Sequence, residues 1–369
     1  MQKSRHLSRK RHGQKTSGWL TLWPSRATLA HQLGVLALTM QTLRFRFWRI
    51  MWAFGCLAAT IAFVSTYAAQ PDDSHHHLPA VVFTQTLNIE DATLQIDFAE
   101  GQLDLPRSEI VQRIQTATHA VVVYYGRFPV PRARILIIPV ANRHGVLQGT
   151  TWGNMAGSPA FLRLRIGQTT THDELTADWI ITHELVHIAL PSLPDDQHWL
   201  EEGIASYVEP IARVQAGELP AAKIWSDMMK GMPNGEPGPG DRGLDVTHTW
   251  GRTYWGGALF CLMADVEIRK QTGNRRGLQD ALRGIVAAGG SIDKEWPLSR
   301  VLSIGDRATD TQVLEKMYAQ WSIKPVPVDL PQLWIQLGIK AGPQGVSFDA
   351  SAPLAAIRKS ITSSKSVNN

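Results

Sequence analysis

The sequence predicts an α+β fold, with a small mixed α/β part followed by a part that is mainly helical. Three observations carry this. Strand-like runs such as "AVVFTQTL" and "RILIIPV" crowd between residues 80 and 140, around a single helical stretch. Helical spacing takes over near residue 171 and returns after residue 254. At 369 residues and 44% hydrophobic, the chain has enough apolar surface for one large domain or two smaller ones.

Residues 1–39 form a basic extension, and residues 40–69 have the three parts of a signal peptide. Arg44, Arg46 and Arg49 precede an apolar run from Ile50 to Val64, and small residues lead up to Gln70. That run is short for a bilayer span, so a cleaved leader is favoured over an anchor. The expected location is therefore the periplasm or the outside of the cell, with membrane attachment only through an uncleaved leader. Residues 1–71 hold ten Lys and Arg and no acidic residue, and the chain after residue 69 carries 27 basic against 32 acidic residues. The basicity belongs to the leader, and a nucleic-acid partner loses its main support. Of two cysteines, Cys56 lies in the leader behind a poor lipoprotein signal, while Cys261 sits in an apolar segment and reads as core. An exported protein with Cys261 alone closes no internal disulfide.

Residues 70–79, "PDDSHHHLP" and its flanks, read as a linker in which His75, His76 and His77 are a solvated tail. Residues 80–150 form the N-terminal α/β subdomain, with "SEIVQRIQTATHAVVVYYG" as its helix. Residues 151–260 form a central core that carries the histidine motif read below. There "SPAFLRLRIG" sets Arg163 and Arg165 on one face and Leu162, Leu164 and Ile166 on the other, as a half-buried, charge-protected edge strand does.

Next, "TTTHDELTADWIITHELVHIALP" opens with a capping box, Thr171 with Glu174, and stops at Pro191. One helix is expected between them, burying Leu175, Trp179, Ile180, Leu185, Val186 and Ile188. After a short loop, Asp195 or Asp196 is expected to cap a second helix, "QHWLEEGIASYVEPIARVQAG", with Trp199 in the core. Residues 231–252 are rich in glycine and proline and read as a long loop of the kind that carries function. Residues 261–369 form a helical C-terminal subdomain through "LQDALRGIVAA" and "DTQVLEKMYAQW".

Within "ITHELVHIAL", His183 and His187 lie four residues apart and aim at one point from one helix face. Glu184 points about a quarter turn away, outside the coordination sphere but near a water on the same ion. This is the content of H-E-x-x-H: two zinc ligands and a general base. With 13 His in the chain and as many Glu, random placement yields the pattern only ~0.02 times per sequence. Burying two imidazoles and a carboxylate among apolar neighbours is costly unless a metal joins them. Catalytic zinc takes three protein ligands, and "WLEEGIASYVE" offers Glu201 and Glu202 for the third.

"HELVH" followed by "WLEEGIASY" resembles the gluzincin metallopeptidases, in which the glutamate before glycine in W-L-x-E-G is the third ligand. The resemblance implies a zincin-like catalytic domain, Zn2+ as cofactor, Glu202 as ligand and Glu201 as a rim carboxylate. "TYWGGALFCLMADVEIRKQTGNRRGLQDAL" is similar to the segment after the ligands in the glycyl aminopeptidase family and related bacterial peptidases. There a tyrosine in Y-x-K-G binds the oxyanion, which implies that role for Tyr254, with Gly256 in place of the lysine. The similarity extends from about His172 to Ile361.

The expected function is hydrolysis of peptide or protein substrates by a zinc-bound water, with Glu184 as base and Tyr254 as oxyanion donor. The alternative is an inactive zinc-containing envelope protein that binds peptides or partners. Ser206 and Glu209 are candidates to support the ligands, and His248, Trp250 and Arg252 to line the cleft. Phe161 to Ile166 is a strand with which an extended substrate can pair. Exopeptidases of this group hold the free amine with acidic residues upstream of the motif, and "GTTWGNMAGSP" offers none.

Overall fold

Alternating apolar residues build the sheet: in β2 (Ala92–Ala99), Leu94, Ile96 and Phe98 share one face and are buried. The computed structural model describes residues 78–343 and 345–363, which fall within one compact unit. The basic extension, the leader with Cys56 and His75 to His77 lie outside the described residues.

β1 (Val81–Ile89) pairs antiparallel with β2. Helix α1 (Arg107–Tyr125) crosses over to β3 (Arg132–Val140), parallel to β2. A hairpin of β4 (Val146–Met155) and β5 (Ser158–Gly167) completes a five-stranded sheet in the order β1-β2-β3-β5-β4. The register aligns Ile96, Ile135, Leu162 and Thr151 in one row across four strands. The first three are fully buried under the helices, so Thr151 on the border strand faces the same way.

β5 is therefore not an edge strand, because it is paired with β3 on one side and β4 on the other. Its alternation reflects the sheet's second face, where Phe161 is buried and the Arg163 guanidinium lies 5.0 Å from the Trp152 ring. The border next to the helices belongs to β4, a glycine-containing run that lacks the dense β-branched pattern of an inner strand.

The expected single helix over residues 172–190 is two: α2 (His172–Ala177), with the Thr171–Glu174 capping box in place, and α3 (Ile180–His187). Asp178 breaks them in extended conformation and turns its carboxylate onto the N–H groups of Ile180 (3.2 Å) and Ile181 (2.9 Å). Asp satisfies a helix start better than a helix interior, which is why the chain restarts here. The break swings Trp179 outward to 51% exposure, so it is not a core residue, whereas Trp199 is buried.

Asp195 and Asp196 do not cap the next helix; they form a 3-10 turn with Gln197, and α4 (His198–Gln215) starts from it. There follow α5 (Ala221–Gly231), a 3-10 turn Met232–Gly235 and an irregular stretch. A π-helical turn, Gly251–Gly256, then leads into α6 (Gly257–Gln271). Gly203 of α4 and Gly257 of α6 let these helices touch: a Cβ on Gly203 would lie 2.4 Å from the Gly257 Cα. Beyond them come α7 (Leu278–Ala287), α8 (Leu298–Thr309), α9 (Val313–Trp321) and α10 (Leu330–Leu337). The antiparallel pair β6 (Ile339–Gly342) and β7 (Gly345–Phe348) and α11 (Ala355–Thr362) end the described chain. One hydrophobic core runs from β2 to α11, and the boundary expected at residue 150 falls inside β4. Among the described residues, no helix is long and apolar enough to cross a membrane.

Candidate metal centre

Helical spacing stacks His183 and His187 on one face of α3, with ring centroids 4.9 Å apart. Helix α4 runs beside α3 and brings Glu202 to both. Its Oε2 lies 3.0 Å from His183 Nε2 and 3.6 Å from His187 Nε2. Two ligands held at about 2.0–2.1 Å by one tetrahedral zinc are about 3.3 Å apart, a value these two distances bracket. One donor atom from each residue falls within 4.8 Å of the others, and among the described residues no other cluster of three such side chains is found. His183 and Glu202 are buried and His187 is half-buried. The residues present therefore fit a divalent ion of zinc's preferences.

Burial and the neighbouring carboxylates act differently on the three side chains. Burial lowers the His183 pKa and outweighs the neighbouring carboxylates, which favours the neutral, ligating imidazole. Burial would do the same to His187, but Glu202 and Glu184 raise it. Burial opposes ionisation of Glu202, yet His183, His187 and His198 hold its carboxyl far below the usual range.

Glu184 follows His183 and points away from the two imidazoles, toward β4. Thr151 Oγ1 donates to Glu184 Oε2 at 2.7 Å and also to the Glu184 carbonyl at 3.0 Å. Two residues along the strand, Gly149 leaves room for that carboxylate: a Cβ there would lie 2.3 Å from Glu184 Cγ. Tyr254, on the π-helical turn, stacks on His183 with centroids 6.3 Å apart and an interplanar angle of 25°. Burial, Glu202 and Glu184 push its hydroxyl up to about 12, so it remains a proton-carrying donor at neutral pH. A cleft of about 620 Å3 joins these groups, floored by the triad and bordered by Gly149 to Gly153 of β4.

Two contributors escape a reading of the sequence. His198 sits one helical turn before Glu202, with Nε2 3.3 Å from Glu202 Oε1 and Nδ1 2.9 Å from Glu201 Oε2. Its i,i+4 spacing to Glu202 in "HWLEE" was the available signal. Thr151 had none, because it reaches Glu184 across 33 positions of sequence through the sheet register. Glu201 accepts the Leu193 N–H at 2.8 Å, pinning the loop between α3 and α4.

Of the other expected residues, Trp250 borders the site through Tyr254 and the rest turn elsewhere. Glu209 turns to Arg213, 2.9 Å away, and Ser206 lines a neighbouring cavity. Phe161 to Ile166 cannot receive a substrate strand, since both its neighbours are already in the sheet; the border facing the cleft is β4. Arg252 is buried against Asp241, 2.7 Å away, and the Gly235 carbonyl, so it ties the irregular stretch together. His248 is exposed, and Trp250 stacks on Tyr254 at 5.9 Å. Cys261 is buried, and burial pushes its thiol well above the ordinary range.

No family model matches the sequence, and no curated protein matches it by sequence. Solved structures do match its fold. An aminopeptidase N family protein from Idiomarina loihiensis superposes with a TM-score of 0.50 at 14% identity, over 70% of this chain and 49% of that one. The M1 zinc metallopeptidase from Deinococcus radiodurans gives a TM-score of 0.44 at 15% identity, over 67% and 52%. The chain thus spans about half the length of these structures. The first likeness shows the fold: a mixed α/β domain with a small N-terminal sheet and a helical C-terminal part, as the sequence predicts.

Proposed function

We propose that the protein is an exported zinc-dependent peptidase. The observation that carries this is the convergence of His183, His187 and Glu202 beside a carboxylate, Glu184, that is held in place without being a ligand. Structural zinc sites fill four positions with protein and need no base. The aminopeptidase N fold agrees with the reading.

Zinc held by the triad would lower the pKa of a water and polarise the scissile carbonyl. Glu184 is placed to accept a proton from a water in the cleft as the water oxygen adds to the carbonyl carbon. As the C–N bond breaks, Glu184 returns the proton to the departing amine. Tyr254 donates its hydroxyl to the oxyanion that develops on the carbonyl, a contribution of about 3 kcal/mol for a well-placed donor. Thr151, which also lines the cleft, fixes Glu184 through its hydroxyl. The free edge of β4 offers backbone groups to an extended peptide, which tolerates varied side chains.

The leader at residues 40–69 supports action outside the cytoplasm, and N-terminal sequencing of the mature protein tests that part. β4 carries no acidic residue, which favours peptides whose N-terminus is not gripped by a carboxylate. The test of the whole reading is cleavage of peptide pools with free and with blocked N-termini by the zinc-loaded protein and by Glu184→Gln. Cleavage by the first and none by the second, at equal zinc content, supports it. Zinc in both with no cleavage by either would replace it with the peptide-binding alternative.

A further inference from the structure

Two buried arginines, Arg113 of α1 and Arg213 of α4, grip the break between α2 and α3. Arg113 Nε donates to the Leu175 carbonyl at 3.2 Å, and its Nη2 to the Asp178 carbonyl at 2.8 Å and to Thr182 Oγ1 at 3.3 Å. Arg213 Nη2 donates to the Thr176 carbonyl at 3.3 Å. Carbonyls at the end of a helix have no following turn to bond, and cations are favoured there. Glu218 ties the two guanidinium groups to each other, its Oε2 lying 3.1 Å from Arg213 Nε and 3.6 Å from Arg113 Nη1.

Stability alone does not account for this arrangement. Arg113 Nη1 and Glu218 Oε1 are buried with no hydrogen-bond partner among the described residues, and apolar side chains of similar volume often stabilise a fold as well as buried ion pairs do, or better. What the arginines supply is position. Asp178, whose carbonyl Arg113 holds, caps α3 with its carboxylate, and Thr182 directly precedes His183. With eight residues α3 is about two turns long, so its placement depends on what grips its ends. On α4, Glu202 and Arg213 are eleven positions apart, about three turns, and share one face. One end of that face brings the carboxylate to His183 and His187, and the other holds the segment from which α3 starts.

We infer that Arg113 and Arg213 are positioning residues of the metal centre, locking the α2–α3 break so that the His183–His187 pair meets Glu202 at ligating distance. This rests on the zinc-binding part of the proposed function and not on cleavage.

The test compares the wild type with Arg113→Met, Arg213→Met and Leu337→Ala. Zinc affinity is read by competition with a chelator, and ligand geometry by the visible bands of the cobalt-loaded protein. Both arginine variants are expected to bind zinc about 10- to 100-fold more weakly and to shift the cobalt bands. Leu337→Ala, which opens a cavity in the core at α10 and destabilises the fold, should leave both readouts at their wild-type values. A folded arginine variant with wild-type zinc affinity and cobalt spectrum would overturn the inference, as would an equal loss in Leu337→Ala. If the arginine variants fail to fold, Thr182→Val decides, because it keeps the shape and removes one acceptor of Arg113. Its expected weakening of zinc binding is about threefold or more, and no weakening overturns the inference. A wild type that takes up no zinc would defeat the metal reading and this inference together. Zinc binding that the arginine variants weaken, in a protein that cleaves no peptide, would defeat only the hydrolytic reading.

Discussion

Thr151 on the border strand and Glu184 on α3 are joined by a 2.7 Å hydrogen bond, so the sheet, and not the helix alone, aims the carboxylate beside the candidate metal triad. A base must be held before it is useful, because misplacement by about 1 Å can cost a hundredfold in rate.

Thr151→Val removes the donor and keeps the shape. The expected loss in kcat is about tenfold to a hundredfold, the range for a hydrogen bond to a charged group, with KM and zinc content unchanged. Thr151→Ser should restore most of it. Steady-state kinetics with metal analysis reads this directly; a Val variant with full activity would remove Thr151 from the mechanism.

Gly149→Ala puts a methyl group 2.3 Å from Glu184 Cγ, so either β4 or the carboxylate must move. Activity should fall about a hundredfold, while zinc stoichiometry, which depends on α3 and α4, stays the same. Comparing kcat/KM with bound zinc separates a displaced base from a lost metal.

His198 touches Glu202 and Glu201 together and orients Glu202, the proposed third ligand, from its own helix. Partners of this kind typically contribute 10- to 100-fold to metal affinity, so His198→Ala should weaken zinc binding by about that factor in competition with a chelator. Unchanged affinity would show that α4 positions Glu202 unaided.

Glu209 makes stability depend on pH. Burial raises its pKa in the folded chain to about 7, from an ordinary value of 4.5, so the folded state holds this proton more tightly than the unfolded one. Stability is then greatest below pH 4.5 for this group, falls as pH rises toward 7, and is level above that. The total is about 3 kcal/mol, and Glu209→Gln, which mimics the protonated form, should abolish it. Denaturation of both proteins at pH 4.5 and pH 8 checks this: the variant should gain on the wild type at pH 8.

Much of the fold and the pairing of His183 with His187 was legible because it rests on local spacing. Four residues between imidazoles define one face of a helix, the Thr171–Glu174 box forms as its spacing requires, and strand alternation in β3 and β5 matches their buried rows. What was not legible depends on contacts between distant segments. "GTTWGNM" does not look like a strand, because its two glycines serve the approach of Glu184 and of the Ile292 carbonyl and not the propensity of β4. Asp178 reads as an ordinary polar position in a helix until its carboxylate is seen capping α3. The alternation of Arg163 and Arg165 reads the same for an edge strand and for an inner strand with one open face, so sheet order decided it.

The most direct test of the metal centre is anomalous diffraction at the zinc edge from crystals of the zinc-loaded protein. The account predicts one peak at about 2 Å from the Nε2 atoms of His183 and His187 and from the Glu202 carboxylate, with the remaining position open to the cleft. A peak elsewhere, or a fourth side chain closing the coordination sphere, would contradict it.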